Sequence, residues 1–140
     1  TGAIRQFVEE VEWGKLDAMV LDLPPGTGDA VLSVVQLIPI SGALIVTTPN
    51  ELAATTAVRG AMVFEKSDVR VLGVVENMAY MQMPDGTREY IFGEGFADDA
   101  AAKLGTKVLA RIPLDKTLHT QNISEQTTRI FDAIADEIAG

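Results

Sequence analysis

The sequence predicts an α/β domain of three layers, with a mainly parallel sheet of about four strands flanked by helices. Three observations predict it. Short runs that are apolar throughout alternate with segments of helical period, the pattern of a parallel sheet covered on both faces. The apolar runs end at or close to Pro, Gly or Asn, too short and too sharply stopped for helices. No repeat, linker or charge block divides the 140 residues, so one domain over 1–140 is expected.

Each element has its own justification. Ile4, Phe7, Val8 and Val11 recur at helical spacing with Arg5, Glu9, Glu10 and Glu12 opposite, so the chain opens on an amphipathic helix. Trp13-Gly14-Lys15 breaks that period, and residues 18–21 read as a first buried strand running into Asp22 and Pro24-Pro25-Gly26. Asp29 can cap a helix over about residues 30–38. Residues 43–46 form the second strand, ending at Thr47-Thr48-Pro49, and Asn50 caps an Ala-rich helix over about residues 51–66. The β-branched run 71–75 is the third strand. Residues 77–95, which hold Pro84-Asp85-Gly86, make a turn-rich stretch long enough for a functional loop or flap. A short Ala-rich helix ends near Gly105, and residues 107–112 are the fourth strand. Beyond Pro113-Leu114-Asp115, a last helix puts Ile130, Phe131, Ile134 and Ile138 on one face.

Composition removes whole classes of function. With 47% hydrophobic and 22% charged residues the chain is neither collagen-like, low-complexity nor disulfide-stapled. Twenty acidic residues against eleven Lys and Arg give a net charge of -9, which repels phosphate backbones and anionic lipid. Neither a nucleic-acid nor a membrane partner is expected. The absence of Cys removes thiolate catalysis and Cys-ligated zinc or iron–sulfur centres from this chain, and one His leaves little for a soft metal. The longest apolar runs fall short of the ~20 residues a bilayer requires, and no basic-then-apolar leader is visible, so a cytoplasmic location is the default expectation.

In such sheets ligands bind beyond the carboxyl ends of the strands, here residues 22–29, 47–50, 76–83 and 112–115. An Asp at the end of a buried strand, followed by glycines, can hold Mg²⁺ through water beside a γ-phosphate; a strand-to-helix capping turn accounts for the same residues. The string Pro24-Pro25-Gly26-Thr27-Gly28-Asp29 is not itself a lysine-bearing phosphate loop, because Asp29 stands where the cation is needed. Thr47-Thr48-Pro49-Asn50 offers either an anion site or a plain cap. Asn77 carries the paired donor and acceptor that read an adenine edge, or else it forms a turn. His119 reads as a solvated loop residue, and Met78, Tyr80, Met81 and Met83 as cover for apolar surface.

Several separated strings act jointly: Glu12-Trp13-Gly14-Lys15-Leu16-Asp17 running into Asp22-Leu23-Pro24-Pro25-Gly26-Thr27-Gly28-Asp29, then Ile45-Val46-Thr47-Thr48-Pro49, Gly73-Val74-Val75-Glu76-Asn77-Met78, Ile91-Phe92-Gly93-Glu94-Gly95 and Ile112-Pro113-Leu114-Asp115. In order and approximate spacing the chain resembles the Mrp/ApbC group of P-loop ATPases, relatives of MinD and ParA. The resemblance covers about residues 6–115. It implies a cytosolic ATP-binding protein that dimerises and carries iron–sulfur clusters to apo-proteins. By the same resemblance Asp22 takes the Mg²⁺-water role, and Pro24, Gly26, Thr27, Gly28 and Asp29 belong to the γ-phosphate switch. Asn77 contacts adenine, while Pro113, Leu114 and Asp115 close over the base or ribose.

Three departures shape the expectation. Members carry a strand and a loop Gly-Lys-Gly-Gly-Val-Gly-Lys-Ser/Thr, and no such string occurs in the 140 residues. The chain is thus expected to be a truncated or partial P-loop NTPase fold that does not hydrolyse ATP alone. In the family topology that strand lies between those at 18–22 and 43–46, which are then expected to pair directly or to recruit a strand from a homodimer partner or another chain. Second, where many members place Cys-Pro-x-Cys, this chain has Met83, Pro84, Asp85 and Gly86, so no iron–sulfur ligands are expected here. Third, no Gly-x-Pro-Ile-Val stretch follows Asp115. The competing reading is a non-enzymatic α/β interaction module that self-associates or binds a full-length relative through its sheet edge.

Overall fold

The computed structural model describes residues 2–24 and 29–140. Three β-rich runs form the sheet: β1 (Ala43–Thr47), β2 (Val71–Glu76) and β5 (Val108–Arg111), all parallel in the order β1-β2-β5. Alternation along each strand sends side chains to two covers. Ala43, Ile45 and Val74 pack against helices α2 (Asp29–Leu37), α3 (Glu51–Lys66) and α4 (Phe96–Lys103) through Val31, Phe64 and Ala97. Leu44, Val75 and Leu109 face α5 (Glu125–Ala139) through Ile130, Ile134 and Ile138. The α/β class and the helix–sheet–helix layering follow the sequence pattern.

Local chemistry sets the ends of α3. The Asn50 backbone is extended and its side-chain oxygen accepts from the N–H groups of Leu52 (3.0 Å) and Ala53 (3.2 Å), satisfying two donors that a helix start leaves open. In β2, Gly73 faces Leu109 across the sheet so closely that a Cβ there would stand 2.3 Å from Leu109 Cγ. The missing side chain lets β5 and its leucine fill the layer under α5.

Three expectations are corrected. The parallel sheet has three strands among the described residues, not about four: residues 18–21 form no ladder, and Val20 is 77% exposed. A parallel strand needs a hydrogen-bonding neighbour, and this run pairs with no described strand, β1 included. The opening helix α1 (Gly2–Glu9) forms, but none of its residues is buried and Ile4 and Val8 are only half-covered; Phe7 meets Trp13, edge-on at 5.1 Å, with Trp13 Nε1 donating to the Phe7 carbonyl. On α5, Phe131 turns away from the isoleucines and is exposed.

The 77–95 stretch contains a hairpin, β3 (Met81–Gln82) against β4 (Arg88–Glu89), with Met81 opposite Glu89. Its tip is closed by Met83 N–H donating to the Thr87 carbonyl (2.8 Å) and by Asp85 accepting from the Thr87 N–H (2.9 Å) and hydroxyl (2.6 Å).

Two stability measurements check this packing. Gly73→Ala is expected to lower unfolding free energy by ~1–3 kcal/mol in urea titration through overpacking against Leu109, and a neutral result would contradict that close approach. Asn50→Ala is expected to cost about 1 kcal/mol, the worth of a lost N-cap; Asn50→Asp, which restores the acceptor, should recover most of it.

Candidate functional site

Backbone bonds tie the carboxyl ends of the three strands into one rim. Asn77 N–H donates to the Thr47 carbonyl (2.7 Å), Ile112 N–H to Glu76 (2.8 Å), Ala79 N–H to Ile112 (2.9 Å) and Leu114 N–H to Tyr80 (2.8 Å). The chain after β2 therefore continues to follow β1 and β5 past the sheet, which places 47–50, 77–80 and 112–114 side by side.

On the β1 side a groove of about 790 Å³ opens over α3, lined by Val46, Thr47, Thr48, Asn50, Leu52, Asn77, Met78 and Phe92 among others. Asn77 presents its carboxamide there. Its oxygen accepts from the Met78 N–H (2.9 Å), a turn that puts Met78 at φ 53, while its Nδ2 donors meet no acceptor among the described residues. Val46, Met78 and Phe92 expose apolar surface beside it. Phe92 is brought in by Gly93, whose φ is +118 and whose Cβ would stand 2.6 Å from the Pro49 carbonyl, an approach open only to glycine. An amide with free donors between apolar faces suits a flat heteroaromatic ring.

The 47–50 alternatives resolve in favour of capping. The amides an anion would need at the α3 start already bond Asn50, and the Thr47 hydroxyl donates to the Thr48 carbonyl.

Pro113 is buried and Leu114 half-buried across β2 from the groove, which they do not line. The Asp115 carboxylate is fully engaged: one oxygen accepts from the Thr117 N–H (2.8 Å) and hydroxyl (2.7 Å), the other from the hydroxyls of Ser124 and Thr127. These four bonds, those from the Ser124 and Thr127 hydroxyls foremost, hold its carboxyl well below the usual range. The side chain thus fastens the loop to the 3₁₀ turn Lys116–His119 and to the start of α5.

Asp22 and Pro24 lie in exposed irregular chain and do not line the groove, while Asp29 opens α2. Pro25, Gly26, Thr27 and Gly28 fall outside the described residues. Tyr80 is buried, with the Arg88 guanidinium 4.2 Å over its ring, whereas Met78, Met81 and His119 are exposed. Among the described residues no cluster of three or more His, Cys, Asp or Glu could hold a metal, and no helix is long and apolar enough to cross a membrane.

Sequence reasoning missed one charged network. Glu76 ends β2 fully inside, its Oε2 3.1 Å from Arg111 Nε, and the same guanidinium bonds Asp98 of α4. The available signal was an acid closing the apolar run 71–75, directly before Asn77.

Comparison with known proteins then gives three agreeing results. A ParA-group family model described as NUBPL iron-transfer P-loop NTPase matches residues 1–139. The chain is similar to the iron–sulfur cluster carrier proteins of Synechocystis (40% identity over 99% of this chain and 43% of that protein) and of Saccharolobus solfataricus (45% over 97% and 50%). Among solved structures it is similar to a nucleotide-binding protein from Archaeoglobus fulgidus in complex with ADP, at 46% identity and a TM-score of 0.72, covering 84% of this chain and 49% of that one. The chain spans about half the length of these relatives, or less.

The Asp115 network predicts a pH signature. A carboxyl depressed on folding contributes stability above its unfolded value of 3.8 and loses it only as pH falls through the lower folded value. Asp115→Asn is therefore expected to melt below the parent at pH 7, with the gap narrowing only under pH 3.8; equal melting temperatures at pH 7 by circular dichroism would refute the anchor.

Proposed function

The chain belongs to the ParA group of P-loop NTPases, as an NUBPL-type member of the Mrp/ApbC proteins, and from that premise we propose that its residues form the base-reading side of an ATP-binding unit in a cytoplasmic iron–sulfur cluster carrier. The observation that carries the reading is Asn77: a carboxamide with free Nδ2 donors at the sheet's carboxyl edge, flanked by exposed Met78 and Phe92. Adenine presents one acceptor and one donor side by side, and a carboxamide is the side chain that meets both. The backbone of 113–115, pinned by Asp115 across β2 from the groove, would approach base or ribose from the β5 side of the rim.

The phosphate side differs. The 140 residues hold no Gly-Lys-Gly-Gly-Val-Gly-Lys string, and a surface of net charge -9 offers phosphates little stabilisation. On this reading the isolated chain binds adenine nucleotides weakly and does not hydrolyse ATP. Asp22, exposed and without an ion pair among the described residues, would hold Mg²⁺ through water where a complete phosphate cradle is present. The metal there would neutralise charge on the phosphates, with residues 24–29 following the γ-phosphate.

The cluster is cargo rather than a resident group, and the hairpin tip does not suit it. Met83, Pro84 and Gly86 offer no thiolate, and Asp85 is committed to Thr87. Cluster ligation in an assembled carrier is assigned to residues other than these.

A second reading rests on the edge of β1. That strand pairs only with β2 among the described residues, and Val46 on it is 62% exposed. An unpaired parallel edge beside an apolar groove invites a strand from a second copy or a full-length relative.

Calorimetric titration of the folded chain with ADP and with ATP·Mg²⁺, beside sedimentation on the same sample, tests both. Expected are a Kd above roughly 100 μM, no phosphate release, and about tenfold weaker binding for Asn77→Ala. Micromolar, Mg²⁺-dependent binding with turnover would overturn the inactive assignment. No heat from a folded dimer would discard the base-reading role and favour the association module.

A further inference from the structure

The two oxygens of Glu76 are unequal. Oε2 pairs with Arg111, whereas Oε1 is buried with no hydrogen-bond partner, and the residue is 3% exposed. An orphaned carboxylate oxygen in the interior is costly. Here burial outweighs the attraction of Arg111 on β5, while Asp98 of α4 and Glu94 before it add repulsion, so the carboxyl is pushed up. A carboxyl raised on folding gives its stability in the neutral form and loses it as pH rises through the folded value. Ionisation of this carboxyl therefore opposes the fold, and folding alone does not account for an acid at this position.

What the charge holds is Arg111. The two residues are direct cross-strand partners at the ends of β2 and β5; Asn77 follows one and Ile112-Pro113 follows the other. Arg111 in turn reaches Asp98, so one guanidinium clamps both strand ends to α4. We propose that Glu76 is a positioning residue: acting through Arg111, it fixes the relative placement of the Asn77 carboxamide and the 112–115 backbone at the rim. Its ligand consequence rests on the base-reading role above; its effect on the rim does not.

Glu76→Gln keeps the shape and removes the charge. The expected result is a melting temperature at pH 7 equal to the parent or higher, together with a local loss: hydrogen-exchange protection of the Asn77, Ala79, Ile112 and Leu114 amides falls about tenfold while that of Val74 holds. Affinity for ADP falls about tenfold in parallel. Arg111→Lys keeps one charge but loses the fork, and should loosen the same four amides. A lower melting temperature with protection lost uniformly would assign Glu76 an ordinary structural role and overturn the proposal; so would unchanged protection at the four amides. If the parent binds no ADP while the rim amides respond as described, the base-reading assignment fails and the positioning role stands. If ADP binds the parent and Glu76→Gln alike with the rim unchanged, the positioning role fails and the base-reading assignment stands.

Discussion

The structure depends on β2 being buried on both faces and hydrogen-bonded on both edges. Val74 fills the layer under α3 and α4, Val75 fills the layer under α5, and the strand pairs with β1 on one side and β5 on the other. A strand so placed cannot shift by one residue without moving every side chain into the wrong layer. Its carboxyl end is consequently a fixed point, and Glu76, Asn77 and Met78 inherit that fixity. The rim bonds from Asn77 to Thr47 and from Ile112 to Glu76 carry the backbone pairing past the ends of the ladders. On the proposed reading, an amide placed one residue past such a strand is held by the whole sheet, a firmer base for recognition than the exposed hairpin.

The fold was legible where a segment carries both its pattern and its partners. Helix α3 matches its expected bounds because Asn50 supplies a cap and its apolar face meets the sheet; β1, β2 and β5 match because each apolar run finds a neighbour. Residues 18–21 show the converse. Their sequence is as strand-like as 43–46, yet hydrophobic pattern reports only a readiness to pair, and pairing is a relation between two segments. Phe131 illustrates a finer limit, since three isoleucines already span the stripe that α5 presents to the sheet and the aromatic ring falls beside it.

The site was legible in part, and the missing part has a common cause. The placement of Asn77 and the 113–115 loop at one rim was found because strand ends are where open backbone and polar side chains meet. The engagement of Asp115 was not, because its partners Ser124 and Thr127 are brought to it by the 3₁₀ turn, and nothing in local spacing announces that return. Glu76 was missed for a related reason: an acid in a strand reads as a surface residue until a neighbouring strand supplies an arginine. Long-range electrostatic pairs are set by register, which one sequence does not display.

On the proposed reading, charge explains why base reading and phosphate handling separate in this chain. Recognition of a heteroaromatic base is neutral chemistry, requiring matched donors and acceptors and apolar faces, and a surface of net charge -9 does not impede it. Phosphate binding requires concentrated cations or converging N–H groups. The amides at the start of α3 are occupied by Asn50, and Arg111 is neutralised by Glu76 and Asp98. The groups that would attract phosphate at this rim are thus spent on holding it rigid. On the proposed reading, the same bonds that keep Asn77 in place make the rim a poor anion site, so the cations must come with the strand that would pair with β1.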